Sequence, residues 1–187
     1  LEGLAAAGVA GVVKHVPGHG RAAADSHKEL PTVTVSAEEL EIDIAPFCTL
    51  ADAPIAMTAH IVYTAWDKAH PATQSARVIE DIIRQRIGFD GLLLSDDLDM
   101  DALSGSVPQR GARAIAAGCD VALNCWADME DMQGLAKALP ALTAKGQARL
   151  AMALAQTDIV MPDMTRQTEL VARRDALIAA AGMDLPG

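Results

Sequence analysis

Two clusters of polar side chains follow apolar runs in this sequence and have the residue types to do chemistry. The first is Lys14-His15-Val16-Pro17-Gly18-His19-Gly20, continued by Arg21 to Ala24 and then by Asp25-Ser26-His27. Pro17, Gly18 and Gly20 allow tight backbone turns that no helix follows. Ala22 to Ala24 offer no bulky side chain to pin the segment, so a mobile loop over a pocket is expected. Asp25 and His27 lie two apart, near enough for a carboxylate to hold one imidazole nitrogen. Such a pair fixes the tautomer, stabilises the charged ring and leaves the other nitrogen free to carry a proton. Taken singly, an Asp-x-His is as readily an Asx-turn beside a surface histidine. His15, His19 and His27 also have the look of a metal set, but neither spacing lies on a helix and no cysteine is near.

The second cluster ends the run Gly91-Leu92-Leu93-Leu94-Ser95-Asp96-Asp97-Leu98-Asp99-Met100. A carboxylate delivered at the end of an apolar strand can attack an electrophilic carbon, such as the anomeric centre of a sugar, to form a covalent ester. The plainer role is capping of the next helix by Asp97 or Asp99. A third, softer cluster is Met57-Thr58-Ala59-His60, where a structurally satisfied His60 is expected. Trp66, farther along the same loop, suits either stacking on a sugar face or plain packing.

These clusters need a scaffold, and the sequence has a repeating grammar of short apolar run, polar loop and helical stretch. The runs are Val9 to Lys14, Ile55 to Thr58, Gly91 to Ser95 and Val121 to Asn124, apolar throughout as strands buried on both faces must be. Between them the spacing predicts helices at Ser36 to Ile44, capped by Ser36 with Glu39, at Ser75 to Ile87, stopped by Gly88, and at Val107 to Ala117. Leu1 to Ala7 reads as the tail of a helix ended by Gly8. The region after Ala127 reads as helical to the end, with a break around Asp158 to Pro162. Parallel strands joined by helices give a doubly wound sheet or a barrel. Lys14 and His15, Thr58 and His60, Ser95 and Asp96, and Asn124 all fall at carboxyl ends of strands, where barrel enzymes collect their chemistry. Four strands cannot close a barrel, so half of one would be missing. No internal repeat, low-complexity tract or linker interrupts the pattern.

Composition narrows the classes. The 187 residues are 51% hydrophobic and 21% charged, sufficient for one packed core, and with two Phe, two Trp and one Tyr that core must be aliphatic. A formal net charge of -10 repels phosphate backbones and anionic headgroups, so nucleic-acid and membrane partners are not expected. Cys48, Cys119 and Cys125 are odd in number and lack CxxC spacing, so buried reduced thiols and a cytoplasmic setting are expected. Nothing in the sequence speaks to oligomeric state.

Jointly and in this order, the Lys14 to Gly20 segment with its Asp25-Ser26-His27, the segment Met57 to Tyr63 and the segment Phe89 to Met100 resemble the bacterial β-N-acetylhexosaminidases of glycoside hydrolase family 3. The resemblance covers nearly all of residues 8 to 105. It implies an α/β, (β/α)8 TIM-type barrel of which residues 1–187 are the carboxy-terminal part, strands 5 to 8, of a single catalytic domain whose amino-terminal half is absent. It further implies release of terminal β-linked N-acetylglucosamine from cell-wall recycling fragments joined to 1,6-anhydro-N-acetylmuramic acid. Carried over by position, Asp96 is the nucleophile, His27 the general acid/base and Asp25 its orienting partner, while Lys14 and His15 bind sugar hydroxyls. No cofactor or metal is implied, and the partner is a small sugar. A loop must close to deliver His27, so an open state is expected to hold it away from Asp96. Val16 departs from the family, where an aromatic or larger aliphatic residue is common.

Three other readings remain: a β-glucosidase-like specificity, a sugar-binding barrel without activity, and a metal-dependent hydrolase using His15, His19 and His27. The presence of Asp96, Asp25 and His27 together argues against a mere binding module, and chelator resistance would exclude the metal reading. Half a barrel leaves two sheet edges unpaired. The 187-residue chain alone is therefore expected to leave a chromogenic β-N-acetylglucosaminide intact, and colour release by the purified chain would overturn that expectation.

Overall fold

The structure is a computed structural model that describes residues 1–126, 128–157 and 163–182. The chain divides into two units, Leu1–Thr157 and Asp158–Gly187.

In the first unit, β1 (Val12–Val16), β3 (Ile55–Thr58), β5 (Leu92–Asp97) and β6 (Val121–Leu123) form one four-stranded parallel sheet in the order β1-β3-β5-β6. Val13 lies opposite Ala56, Ala56 opposite Leu93, and Leu94 opposite Val121. All four expected strands are present, each within three residues of its expected start. Helices α2 (Ala37–Cys48) and α3 (Val107–Ala117) and the helix Val78–Arg86 fill the crossovers. Their apolar sides meet Val13, Ala56 and Leu93 in an aliphatic core that includes Leu40, Ile79 and Ile83. The opposite face of the sheet is more open. Val12 is 38% exposed, and Ile55, Met57 and Leu94 are half-buried. Among the described residues the sheet does not close, with β1 and β6 as its edges.

Local chemistry explains most element ends. Ser36 Oγ accepts the Glu39 amide at 3.2 Å while Glu39 Oε2 accepts the Ser36 amide at 3.0 Å, the reciprocal cap expected at the start of α2. A short helix α1 (Glu2–Ala6) ends before Gly8, and Gly88 takes φ +82°, which a side chain would resist. The helix before Gly88 differs from expectation in its winding. Residues Val78–Arg86 form a π-helix, with the wider i→i+5 pattern. Val78, Ile79, Ile83 and Ile87 turn inward, leaving Ala76 and Arg86 of the expected stripe exposed.

Three features were not expected. A second, two-stranded parallel sheet pairs β2 (Thr32–Val33) with β4 (Val62–Tyr63). The region after residue 127 is broken earlier than its periodicity implies: α4 (Met129–Ala138) stops at Leu139 and α5 (Ala144–Leu154) restarts behind Thr143. Pro140 is the cause, since its ring drives Leu139 out of the helical region to ψ 142°. Cys48 and Cys125 are exposed and only Cys119 is buried, because the first ends an outer helix turn and the second lies beyond the strand that was expected to bury it. Burial pushes the Cys119 thiol up to about 12. The expected break at 158–162 lies outside the described residues. In the second unit, α6 (Met164–Ala180) is capped by Asp163, whose side chain accepts the Arg166 amide at 3.0 Å.

The amino ends of β5 and β6 are locked by charge. Asp120, 6% exposed in its side chain, receives Arg84 at 2.9 Å and Arg149 at 3.0 Å, and its Oδ2 also accepts the Leu93 amide at 2.9 Å. Arg84 further donates to the carbonyls of Phe89 and Gly91, and Arg149 to that of Asp90. Replacing Asp120 by Ala removes the carboxylate shared by two largely buried guanidinium groups and an amide, leaving Arg149 paired with the exposed Asp90 alone and Arg84 with no carboxylate partner. The expected loss in urea unfolding is about 3–5 kcal/mol; a loss under about 1 kcal/mol would show the cluster to be idle.

Candidate active site

The carboxyl ends of β1, β3 and β5 meet at one cavity of about 550 Å³, bordered by Lys14, His15, Asp25, His27, Met57 and Asp96 among others. Asp96, His27, Asp25, Lys14 and His15 thus share one wall system, which parallel strands and their following loops are built to provide, whereas Thr58, His60 and Trp66 do not border it.

Asp96 is 6% exposed at the end of β5. Its amide donates to Thr58 Oγ1 at 3.2 Å, its Oδ1 accepts the Asp97 amide at 2.9 Å, and its Oδ2 stands 3.8 Å from His15 Nε2. One carboxylate oxygen is therefore anchored and the other faces the cavity. His15 is half-buried, and burial lowers its pKa, with Lys14 and His19 adding to the effect and the Asp96 carboxylate opposing it. A neutral imidazole beside the carboxylate can give or accept a hydrogen bond from a hydroxyl.

The neighbouring strands hold this end of β5. Ser95 Oγ, fully buried, accepts the Leu123 amide at 2.9 Å. Asp97 Oδ1 accepts the amides of Asp99 and Cys125, and Asp99 Oδ2 accepts Asn124 Nδ2 at 2.7 Å and the Trp126 amide at 2.9 Å. These acids do not cap α3, as their position had implied. Ser106 and Gln109 form that cap, while Asp97 and Asp99 stitch the loop after β5 to the loop after β6. Arg110 Nη1 then pins the Leu98 and Met100 carbonyls at 2.8 and 3.1 Å.

The loop after β1 is tied down at several points. The buried Tyr63 hydroxyl donates to the Gly18 carbonyl, Arg21 Nε donates to Asp43 Oδ2 at 2.5 Å, and His19 Nε2 lies 3.2 Å from Ser26 Oγ. Gly18 has φ +141°, where a side chain is strained, and a Cβ there would also crowd Asp43 at 3.2 Å. Asp25 and His27 form the expected pair, Nδ1 to Oδ1 at 2.9 Å, and the same oxygen accepts the His27 amide at 3.0 Å. That amide, and then the ring, hold the Asp25 carboxyl below its ordinary value. His27 bonds Asp25 rather than Asp96, its side chain is 76% exposed, and its carbonyl accepts the Asp101 amide at 3.2 Å. Among the described residues no three His, Cys, Asp or Glu side chains converge as metal ligands would.

His60 is structurally satisfied, as expected. It is fully buried, with Nδ1 at 2.7 Å from Thr73 Oγ1 and Nε2 at 2.9 Å from the Asp97 carbonyl. Trp66 packs against Tyr63 with ring centroids 5.2 Å apart and is 8% exposed, so it is core rather than platform. Sequence reasoning passed over Thr73, Tyr63, Arg21 and Arg110. Thr73 gave no signal beyond Pro71 before it, because its partners lie 13 to 15 residues upstream.

Comparison with known proteins gives a consistent picture. Residues 1–160 match the family described as "Glycosyl hydrolase family 3 N terminal domain". A "Beta-hexosaminidase" of Bordetella pertussis is 44% identical over 135 residues, covering 70% of this chain and 38% of the relative. One from Alkalilimnicola ehrlichii is 44% identical over 130 residues, covering 67% and 37%. A family 3 β-N-acetylglucosaminidase from Paenibacillus sp. str. FPU-7 is similar in structure at a TM-score of 0.73, with 29% identity over 92% of this chain and 38% of that one. NagZ from Neisseria gonorrhoeae, solved in complex with N-trifluoroacetyl-D-glucosamine, gives 0.68, with 31% identity over 84% and 48%. The chain thus spans less than half the length of each of these proteins.

Burial lowers the pKa of both His15 and His60 below 6.5. The unfolded chain therefore binds protons first as pH falls, and stability drains away below about pH 6.5 toward the folded values. Urea midpoints taken from about pH 8 to pH 5 should fall over that range, and His60→Asn should flatten the fall. A fall of unchanged steepness in that variant would exclude His60 as a contributor.

Proposed function

The chain belongs to the glycosyl hydrolase family 3 N-terminal domain family, and from that membership we propose that it carries the catalytic residues of a retaining β-N-acetylhexosaminidase. In this reading residues 1–187 are the carboxy-terminal part, strands 5 to 8, of a single (β/α)8 domain. The open sheet with free edges at β1 and β6, and the partial coverage of the relatives, support it. The observation that carries the functional reading is the shared cavity: a buried carboxylate with one free oxygen on one wall, and a carboxylate-held imidazole on another.

The proposed chemistry uses these groups in turn. Asp96 Oδ2 attacks the anomeric carbon as the glycosidic bond breaks, and protonated His27 gives the Nε2 proton to the departing oxygen. Asp25 holds Nδ1 and stabilises the imidazolium before transfer. Neutral His27 then takes a proton from water, whose oxygen attacks the anomeric carbon and frees Asp96, restoring both groups. An imidazole in this role avoids the repulsion that a second carboxylate would exert on Asp96. His27, on an exposed loop, must approach as the loop closes over the sugar. Lys14 and neutral His15 hold ring hydroxyls beside the nucleophile.

The substrate is a terminal β-linked N-acetylglucosamine. Relatives named β-hexosaminidase, and a structural neighbour holding an N-acylated glucosamine, support that choice. We assign the aglycone to peptidoglycan-derived fragments ending in 1,6-anhydro-N-acetylmuramic acid, handled in the cytoplasm without a cofactor.

The test is made in the complete protein that contains this chain. Asp96→Ala should lower kcat by on the order of 10⁴-fold or more while sugar affinity survives. A 2-fluoro sugar should leave its covalent adduct on Asp96, and an adduct mapped by peptide mass spectrometry to any other residue would overturn the assignment.

A further inference from the structure

The group behind Asp96 is a closed ring of hydrogen bonds among side chains that no solvent reaches. Thr58, His60 and Thr73 are each 0% exposed. Asp96 N–H points to Thr58 Oγ1 at 3.2 Å, and Thr58 and Thr73 hydroxyls are 2.8 Å apart. Thr73 Oγ1 is 2.7 Å from His60 Nδ1, and His60 Nε2 is 2.9 Å from the Asp97 carbonyl. The ring thus opens at the amide of Asp96 and closes on the carbonyl of the next residue.

Counting protons fixes its direction. The Asp97 carbonyl can only accept, so Nε2 carries a hydrogen. Thr58 Oγ1 accepts from Asp96 and keeps a lone pair and its own hydrogen, either of which can meet Thr73. Thr73 has one hydrogen, which goes to His60 Nδ1, to the Ala59 carbonyl 3.1 Å away or to Thr58 Oγ1. Either of the last two would require both ring nitrogens to donate, making a buried imidazolium; with the Thr73 hydrogen given to Nδ1 instead, Thr58 is the donor to Thr73. The Ala59 carbonyl already receives the Thr73 amide at 3.3 Å and does not need the hydroxyl. Asp96 and Asp97 on β5 favour a charge on His60, Arg110 on α3 disfavours it, and His15 on β1 shares the region. Burial outweighs these and keeps the ring neutral.

We propose that His60, with Thr73 and Thr58, is a positioning residue for Asp96: a neutral imidazole closes the ring around residues 96 and 97 and sets where the Asp96 carboxylate points. His60 does not border the cavity and does not exchange protons with the sugar. It acts through the backbone. With the amide and the following carbonyl both held, and Oδ1 tied to the Asp97 amide, the remaining oxygen Oδ2 has one direction left, toward the cavity. A displaced nucleophile loses rate more than affinity, because the sugar is held elsewhere.

This inference rests on the functional reading above, and its test separates the two. Thr73→Val keeps the shape of the side chain and removes the hydroxyl that His60 Nδ1 needs. Thr58→Val breaks the ring at its other end and guards against misfolding of the first variant. In the complete protein each should lower kcat roughly 10- to 100-fold with KM changed less than about twofold, and Thr73→Ser should restore the rate. In ¹⁵N-histidine spectra of the chain, His60 should show the neutral Nε2–H form at about pH 7, and Thr73→Val should shift its Nδ1 resonance. An unchanged kcat in Thr73→Val, or a His60 that is cationic or Nδ1-protonated in the unaltered chain, would overturn the inference. Absence of turnover in the unaltered complete protein would instead sink the functional reading, and with it the role assigned here; the ring spectrum, which depends on the fold alone, tells the two failures apart.

Discussion

Where β5 ends, its backbone must turn into a loop without leaving polar groups unpaired in a dry interior, and that demand organises the carboxyl end of the sheet. Each bond left unmade there would cost about 1–3 kcal/mol. The neighbours supply the partners. Thr58 comes from β3, and the amide of Leu123 on β6 finds its acceptor in Ser95. Asp97 and Asp99 then gather the amides of Cys125 and Trp126. Satisfying the backbone in this way places the Asp96 carboxylate as a by-product, so the register of the strands and the aim of one oxygen are the same fact.

Electrostatics complement that geometry. The chain is strongly acidic overall, yet three of its five histidines, His15, His19 and His27, border the cavity, and they differ in environment. His15 is kept neutral by burial, whereas His27 sits in solvent with a carboxylate on one nitrogen. Two histidines of identical chemistry thus stand in different surroundings, and the proposed function gives them different work: His15 to hold hydroxyls, His27 to pass protons.

Much of this was legible in the sequence because it is local. Ser36 with Glu39, Gly88 after the helix, and the polar residues ending each apolar run all act within a few positions of themselves. The second half of the site was not legible, because it depends on distant partners. Thr73 matters through Thr58 and His60, and Tyr63 through Gly18, whose carbonyl lies 45 positions away. Asp97 and Asp99 were misjudged for the same reason: a carboxylate near a helix start is a cap by default, until a parallel neighbour offers better donors. Pro140 was a local signal that outweighed periodicity. The π-helix shows the reverse, since a buried stripe of Val78, Ile79, Ile83 and Ile87 overrode the ordinary winding. The sheet's open face corrects the premise that all-apolar strands are covered on both sides within these residues.

The Arg84–Asp120–Arg149 cluster lies where β5 and β6 begin, at the end of the sheet away from the cavity. Structural strength and reactive chemistry are therefore housed at opposite poles. Away from the anchors at Gly18, Asp97 and Asp99, the loops at the cavity end can change while the opposite pole keeps the strands aligned. Under the proposed function, a library randomised only between those anchors would sample new sugar preferences on a framework that keeps its strand ends locked.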